Sequence, residues 1–154
     1  MDADALESGS AGGGAHRYSV RVYYEDTDAG GVVYHTNYLQ FAERARTEML
    51  RTLGLQQSTL LVEDGISFVV RRCVADFLAP AQLDDHLVVT TRVKDVRGAS
   101  LDLEQIVHRD DLALVRLQVR IACRAIDGRA TRLPPQVRTA FLDFAGTLGI
   151  ENGS

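Results

Sequence analysis

YYEDTDAGGVVYHTNYLQFAERARTEMLR, residues 23–51, joins a loop rich in acids and glycine to an amphipathic segment. Tyr38, Phe41, Ala42, Ala45, Met49 and Leu53 recur at spacings of three and four, while Glu43, Arg44, Arg46, Glu48 and Arg51 fall mostly off that stripe. The spacing predicts a helix capped by Thr36 or Asn37 and stopped by Gly54. Such a stripe needs a surface to pack on, and the chain downstream supplies one. After Gly65 the period changes to two. Stretches 66–78, 86–96, 100–109 and 112–126 read as four long strands, punctuated by Pro80, Arg97-Gly98, Asp110-Asp111 and Asp127-Gly128. Upstream, 17–25 alternates like a half-buried strand, and 57–63 reads as a short second helix. The expected class is α+β: an antiparallel five-stranded sheet wrapped around one long helix. One helix cannot cover such a sheet, and its edges invite pairing, so a homo-oligomer is expected.

The 154 residues are 45% hydrophobic and 25% charged, which suits one soluble domain. A net charge of −4 implies no bulk attraction to nucleic acid or to an anionic membrane. No apolar run approaches the ~20 residues of a membrane span, so no direct membrane insertion is expected and the cytoplasm is the default location. Cys73 and Cys123 lie in apolar, strand-like runs and read as buried free thiols. Residues 1–15 are small, polar and glycine-rich, and read as a disordered extension; 16–145 form the domain and 146–154 a flexible tail.

The loop carries the chemistry. Asp26 and Asp28 both suit turns, but Asp28 directly precedes Ala29-Gly30-Gly31, where the absence of side chains lets a ligand approach the backbone. Val32, Val33 and Tyr34 then form a small apolar wall leading to the helix N-terminus. Free N–H donors there can stabilise an oxyanion. A carboxylate on one side and N–H donors on the other make a minimal hydrolytic site, with His35 placed to orient water or substrate and Tyr24 facing the loop from the preceding strand. Neither a P-loop, a GxGxxG run nor a GxSxG elbow is present. Asp26, Asp28 and His35 fit no zinc signature, and neither a metal nor any other cofactor is expected. Arg71 and Arg72 interrupt an apolar strand and Arg97 sits at a turn; groups of this kind near a site mouth would suit a coenzyme's phosphates.

With these residues in place, the chain resembles the hotdog-fold acyl-CoA thioesterases, in the branch that includes 4-hydroxybenzoyl-CoA thioesterase. It looks most like the Tol-Pal system-associated members. The resemblance rests on residues 23–51, FVVRR at 68–72, FLAPAQLDDHL at 77–87 and VRGASL at 96–101, and spans about Tyr18 to Phe144. It implies acyl-CoA hydrolysis, with acyl carrier protein thioesters as a further substrate class, in a homodimer or homotetramer whose sites lie between chains. By position it makes Asp28 the catalytic aspartate, either nucleophile or general base. His35 matches the motif histidine and Tyr24 the upstream tyrosine, and the His35 backbone N–H matches the donor to the thioester carbonyl. Gly30, Gly31, Val32 and Tyr34 line the substrate path, and Arg71, Arg72 and Arg97 are candidates for the CoA phosphates. The rival reading is a non-catalytic acyl-binding or scaffold protein of envelope or lipid-synthesis machinery, against which the intact Asp28–His35 loop argues.

Overall fold

The computed structural model of the chain describes residues 10–12 and 14–146. Its strands are β1 (Ser10–Gly12), β2 (Ala15–Arg21), β3 (Ile66–Phe77), β4 (His86–Val96), β5 (Ser100–Arg109) and β6 (Leu112–Ala125). They form one antiparallel sheet in the order β1-β2-β4-β5-β6-β3. Helix α1 (His35–Thr52) packs on the inner face; α2 (Gln57–Thr59) runs into a π-helical turn at Leu60–Asp64; α3 (Pro135–Gly146) follows the last strand.

Alternation along the strands fixes which face is inner. Leu87, Val89 and Val93 of β4, Leu101, Leu103 and Val107 of β5, and Val115, Leu117 and Val119 of β6 are all buried. They meet the stripe of α1, where Tyr38, Phe41, Ala42, Ala45 and Met49 are nearly inaccessible. Phe41 alone removes enough surface from water for about 1.5–3 kcal/mol. The alanines let the helix sit close to the sheet, and one polar side chain fastens it there. Gln105, fully buried on β5, donates from Nε2 to the Ala42 carbonyl and to Thr91 Oγ1 (both 3.0 Å) and accepts from Arg46 at 2.9 Å.

Several expectations need correction. The sheet has six strands, because Ser10–Gly12 pairs with β2 (Ser10 opposite Arg17, Gly12 opposite Ala15) inside the stretch read as disordered. Residues 1–9, 13 and 147–154 lie outside the described residues. The first long strand ends at Arg21, since Val22 N–H turns to the Asp85 carbonyl (2.9 Å) and Tyr24–Asp26 closes a 3-10 turn. Tyr34 takes the N-cap position of α1 without a side-chain bond, because the Asn37 amide is engaged by Asp26 instead. A single helix does not describe the chain either. Pro134-Pro135 opens α3, whose Val137, Phe141 and Phe144 complete the core.

Edge strand β3 leaves apolar side chains open to solvent. Its register shifts between Val70 and Arg72, leaving Arg71 as the extra residue of a bulge. Val70, Val74 and Phe77 remain 47%, 40% and 41% exposed. Cys73, expected to be buried, is exposed on this strand, whereas Cys123 on interior strand β6 is buried as expected.

Candidate active site

The loop between β2 and α1 is held at both ends by one buried carboxylate. Asp26, only 8% exposed, accepts the Tyr23 N–H on Oδ2 (2.9 Å) and the Asn37 side-chain amide on Oδ1 (2.9 Å). Its carbonyl accepts the Tyr34 N–H (3.1 Å). The start of the loop is thereby tied to the first turn of α1. Across the loop Thr27 bridges Val33, and Val33 N–H donates to the Ala81 carbonyl (2.9 Å).

Asp28 sits at the tip of a tight turn, where its N–H donates to the Val32 carbonyl (2.8 Å) and its carbonyl accepts from Gly31 (3.0 Å). Its Oδ1 accepts the N–H groups of Gly30 (2.8 Å) and Val32 (3.3 Å), so the carboxylate is oriented by backbone donors. Among the described residues, Oδ2 has no protein donor. Gly31 has φ +83°, which favours glycine, and a Cβ on Gly30 would stand 3.3 Å from Asp28 Oδ1, a tight contact to which the carboxylate would have to yield.

His35 opens α1, and its ring stacks on Phe77 at the end of β3 (centroids 4.1 Å apart, planes 15° apart). The two rings wall a cavity of about 200 Å³ lined also by Val32, Val33, Tyr38 and Leu78. Tyr38 is buried, and its hydroxyl accepts the Ala81 N–H (2.8 Å); burial pushes its phenol pKa up, so it stays protonated. In the first turn of α1, Asn37 N–H turns back to the Tyr34 carbonyl (2.9 Å). The N–H groups of His35 and Thr36 precede it, among the donors a helix start leaves open. A backbone-oriented carboxyl group, open helix donors and an apolar slot thus lie along one short stretch of chain, an arrangement suited to attack on an activated carbonyl.

A family model described as the thioesterase-like superfamily matches residues 22–141. The chain belongs to that superfamily. This thioesterase is 49% identical over 125 residues to the acyl-CoA thioesterase YbgC of Haemophilus influenzae, covering 80% of this chain and 92% of that protein. It is also 49% identical over 108 residues to the acyl-CoA thioester hydrolase YbgC of Escherichia coli O157:H7, covering 70% and 80% of the two chains. Among solved structures, a probable thioesterase from Bartonella henselae superposes with a TM-score of 0.75 at 40% identity, covering 78% of this chain and 99% of the other. A 4-hydroxybenzoyl-CoA thioesterase gives a TM-score of 0.78 at 22% identity, covering 86% and 99%, which shows the shared hotdog fold.

The fold of this thioesterase gathers some of the sequence candidates and disperses others. Hydrogen bonds join Asp28, Gly30, Gly31 and Val32 in one turn, and Val32 lines the slot with His35, whereas Asp28 and the two glycines are not among its lining residues. Tyr34 is 51% exposed at the N-cap, and Tyr24, 81% exposed on the 3-10 turn, is not among the residues lining the slot. Arg72 lies on the outer face of the sheet, in a groove of about 300 Å³ with Lys94, Asp102 and Arg120. Arg71 is exposed at the bulge beside it. Arg97 is already committed, to Asp95 (3.1 Å) and Asp102 (2.8 Å). The Arg120 hydrogen bond (2.8 Å) is the main cause holding the Asp102 carboxyl below the ordinary carboxylate range. Two members of the site were not read from the sequence: Asp26 as the loop's anchor, and Phe77 as the partner of His35. Among the described residues, no three His, Cys, Asp or Glu side chains cluster as metal ligands.

Proposed function

We propose that the chain hydrolyses acyl-CoA thioesters to a carboxylic acid and CoA at the Asp28–His35 loop. The observation that supports this reading is an Asp28 carboxylate oriented by the N–H groups of Gly30 and Val32, with Val32 itself lining the slot walled by His35 and Phe77 at the start of α1. In it the thioester carbonyl lies against the His35 N–H, where the helix dipole favours the charge that develops on its oxygen. Asp28 supplies the oxygen nucleophile, its own Oδ2 or a water it deprotonates. The C–S bond breaks and CoA leaves as a thiolate that takes up a proton. On the direct route, water then cleaves the Asp28 mixed anhydride. Both routes consume one water and one thioester.

The same reading places the CoA phosphates on the outer groove. Arg72 and Lys94 make no ion pair among the described residues, whereas Arg97 and Arg120 are held by Asp102. Arg72 is five residues before Phe77, about 16 Å along an extended strand, a span for the pantetheine arm. It also makes the working unit a pair of chains joined along β3, whose exposed apolar side chains and unpaired backbone need cover next to the slot.

Release of free thiol from a panel of short aliphatic, long aliphatic and aromatic acyl-CoAs tests this. Turnover of at least one class is expected. A folded, oligomeric protein that releases no thiol from any of them would return the non-catalytic acyl-binding reading.

A further inference from the structure

A second cavity lies under the C-terminal half of α1, between β3 and α3, and shares no lining residue with the His35–Phe77 slot. Its volume is about 300 Å³, at the lower end of small-molecule pockets. Met49, Phe68, Leu101, Leu103, Ile121 and Phe141 form an apolar floor, with Phe68 and Phe141 in edge-to-face contact (centroids 6.2 Å apart). Glu43, Arg46, Thr47 and Gln57 lie on its polar side.

Arg46 is the unusual member. Its guanidinium is half-buried and spends one N–H on Gln105 Oε1 (2.9 Å), a neutral acceptor that is itself fully buried. Arg51, Arg97, Arg109, Arg120 and Arg129 each pair with a carboxylate, but Arg46 makes no ion pair among the described residues. Glu43, one turn earlier, is exposed to water and does not close on it. Burial lowers the Arg46 pKa, and the nearby Glu43 charge only partly offsets this, as expected for a cation short of a partner. A charge is not held against an apolar wall without compensation. Four donor N–H groups of the planar fork remain, in a geometry that matches a carboxylate.

We propose that this cavity binds an organic carboxylate of small apolar body, with its head on Arg46 and its body on Phe68, Leu103, Ile121 and Phe141. Two sources share that chemistry: the acid released by thioester hydrolysis, and a second carboxylate at the far end of an acyl group. The binding itself is read without any thioester, so it stands or falls separately from the hydrolytic reading.

Octanoate and benzoate titrated into the full chain, beside octanamide and benzamide of matched shape, test the site by calorimetry and methyl NMR. Each acid should bind at least tenfold more tightly than its amide and shift Met49, Leu101, Leu103 and Ile121 rather than Val32 and Val33. In Arg46→Gln the acids should bind as weakly as the amides. Equal binding of acid and amide to the wild type, as expected were Arg46 paired across an interface, overturns the proposal, and so does a shift confined to Val32 and Val33. The wild-type comparison decides even if the variant does not fold. Turnover then separates the sources. Adipoyl-CoA favoured over hexanoyl-CoA, with the preference lost in Arg46→Gln, marks a carboxylate on the acyl group; equal turnover alongside acid binding marks the released acid.

Discussion

Asp26 and Asp28 are two residues apart and carry the same carboxylate, yet their surroundings give them different work. Asp26 is closed in by the Tyr23 N–H and the Asn37 amide, while Asp28 is oriented by Gly30 and Val32 and keeps one oxygen open. Replacing Asp26 with Ala strands two donors and frees the loop from α1. A loss of about 1–3 kcal/mol in urea denaturation is expected, with a fall in kcat larger than any change in KM. An unchanged midpoint would show that the loop is held by something else. Gly31→Ala puts a Cβ on a residue at φ +83° and should cost about 1–2 kcal/mol, read as a lower Tm. The sequence made the loop legible as a site because acids, glycines and a helix start stand together. It pointed to Asp28 through the glycines that follow, but not to Asp26 as the buried anchor, since that depends on the side chain of Asn37 and the backbone of Tyr23. Phe77 was hidden for a similar reason: its contact with His35 joins the end of an edge strand to a helix start far away in sequence.

Among the elements, the long strands were read well because each has period two between strong breakers. The observed β4 and β5 have the expected bounds, and β3 and β6 each stop one residue early. Helix α1 followed from its stripe. The elements that escaped are those with weak local signals. Strand β1 is a glycine-containing triplet that exists by pairing with β2. Helix α3 has three buried apolar residues in a short segment behind a proline pair. The bulge at Arg71 and the exposure of Cys73 are also tertiary outcomes, set by which strand is left at the edge. That edge carries a prediction. Val74→Lys places a charge on the exposed strand where a second chain is proposed to pair. Light scattering should then report a species near 16.9 kDa, with thioesterase turnover lost alongside. An unchanged mass would place the oligomer contact elsewhere.

For the whole molecule, stability should depend on pH through two histidines. Burial lowers the folded-state pKa of His16, which is fully buried, and is the main cause of the lowered pKa of His108. A depressed pKa means that the unfolded chain binds the proton more readily. The stabilisation is therefore complete above the unfolded value near 6.5, and is lost as pH falls from there through the folded value. For His16 the slope is at most about 1.4 kcal/mol per pH unit, and urea midpoints at pH 7.5 and 5.5 should show the lower stability at pH 5.5. Replacing His16 with Gln should flatten that dependence; an unaltered slope would assign it to other groups. The hydrolytic account depends on Asp28. The most direct test is kcat for thiol release from the best acyl-CoA, measured for the wild type and for Asp28→Asn, with the urea midpoint and oligomer mass of both proteins determined alongside. The account predicts a loss of about 10³-fold or more in a variant that folds and assembles like the wild type. A variant within about tenfold of wild-type turnover would contradict it and move the chemistry to another residue.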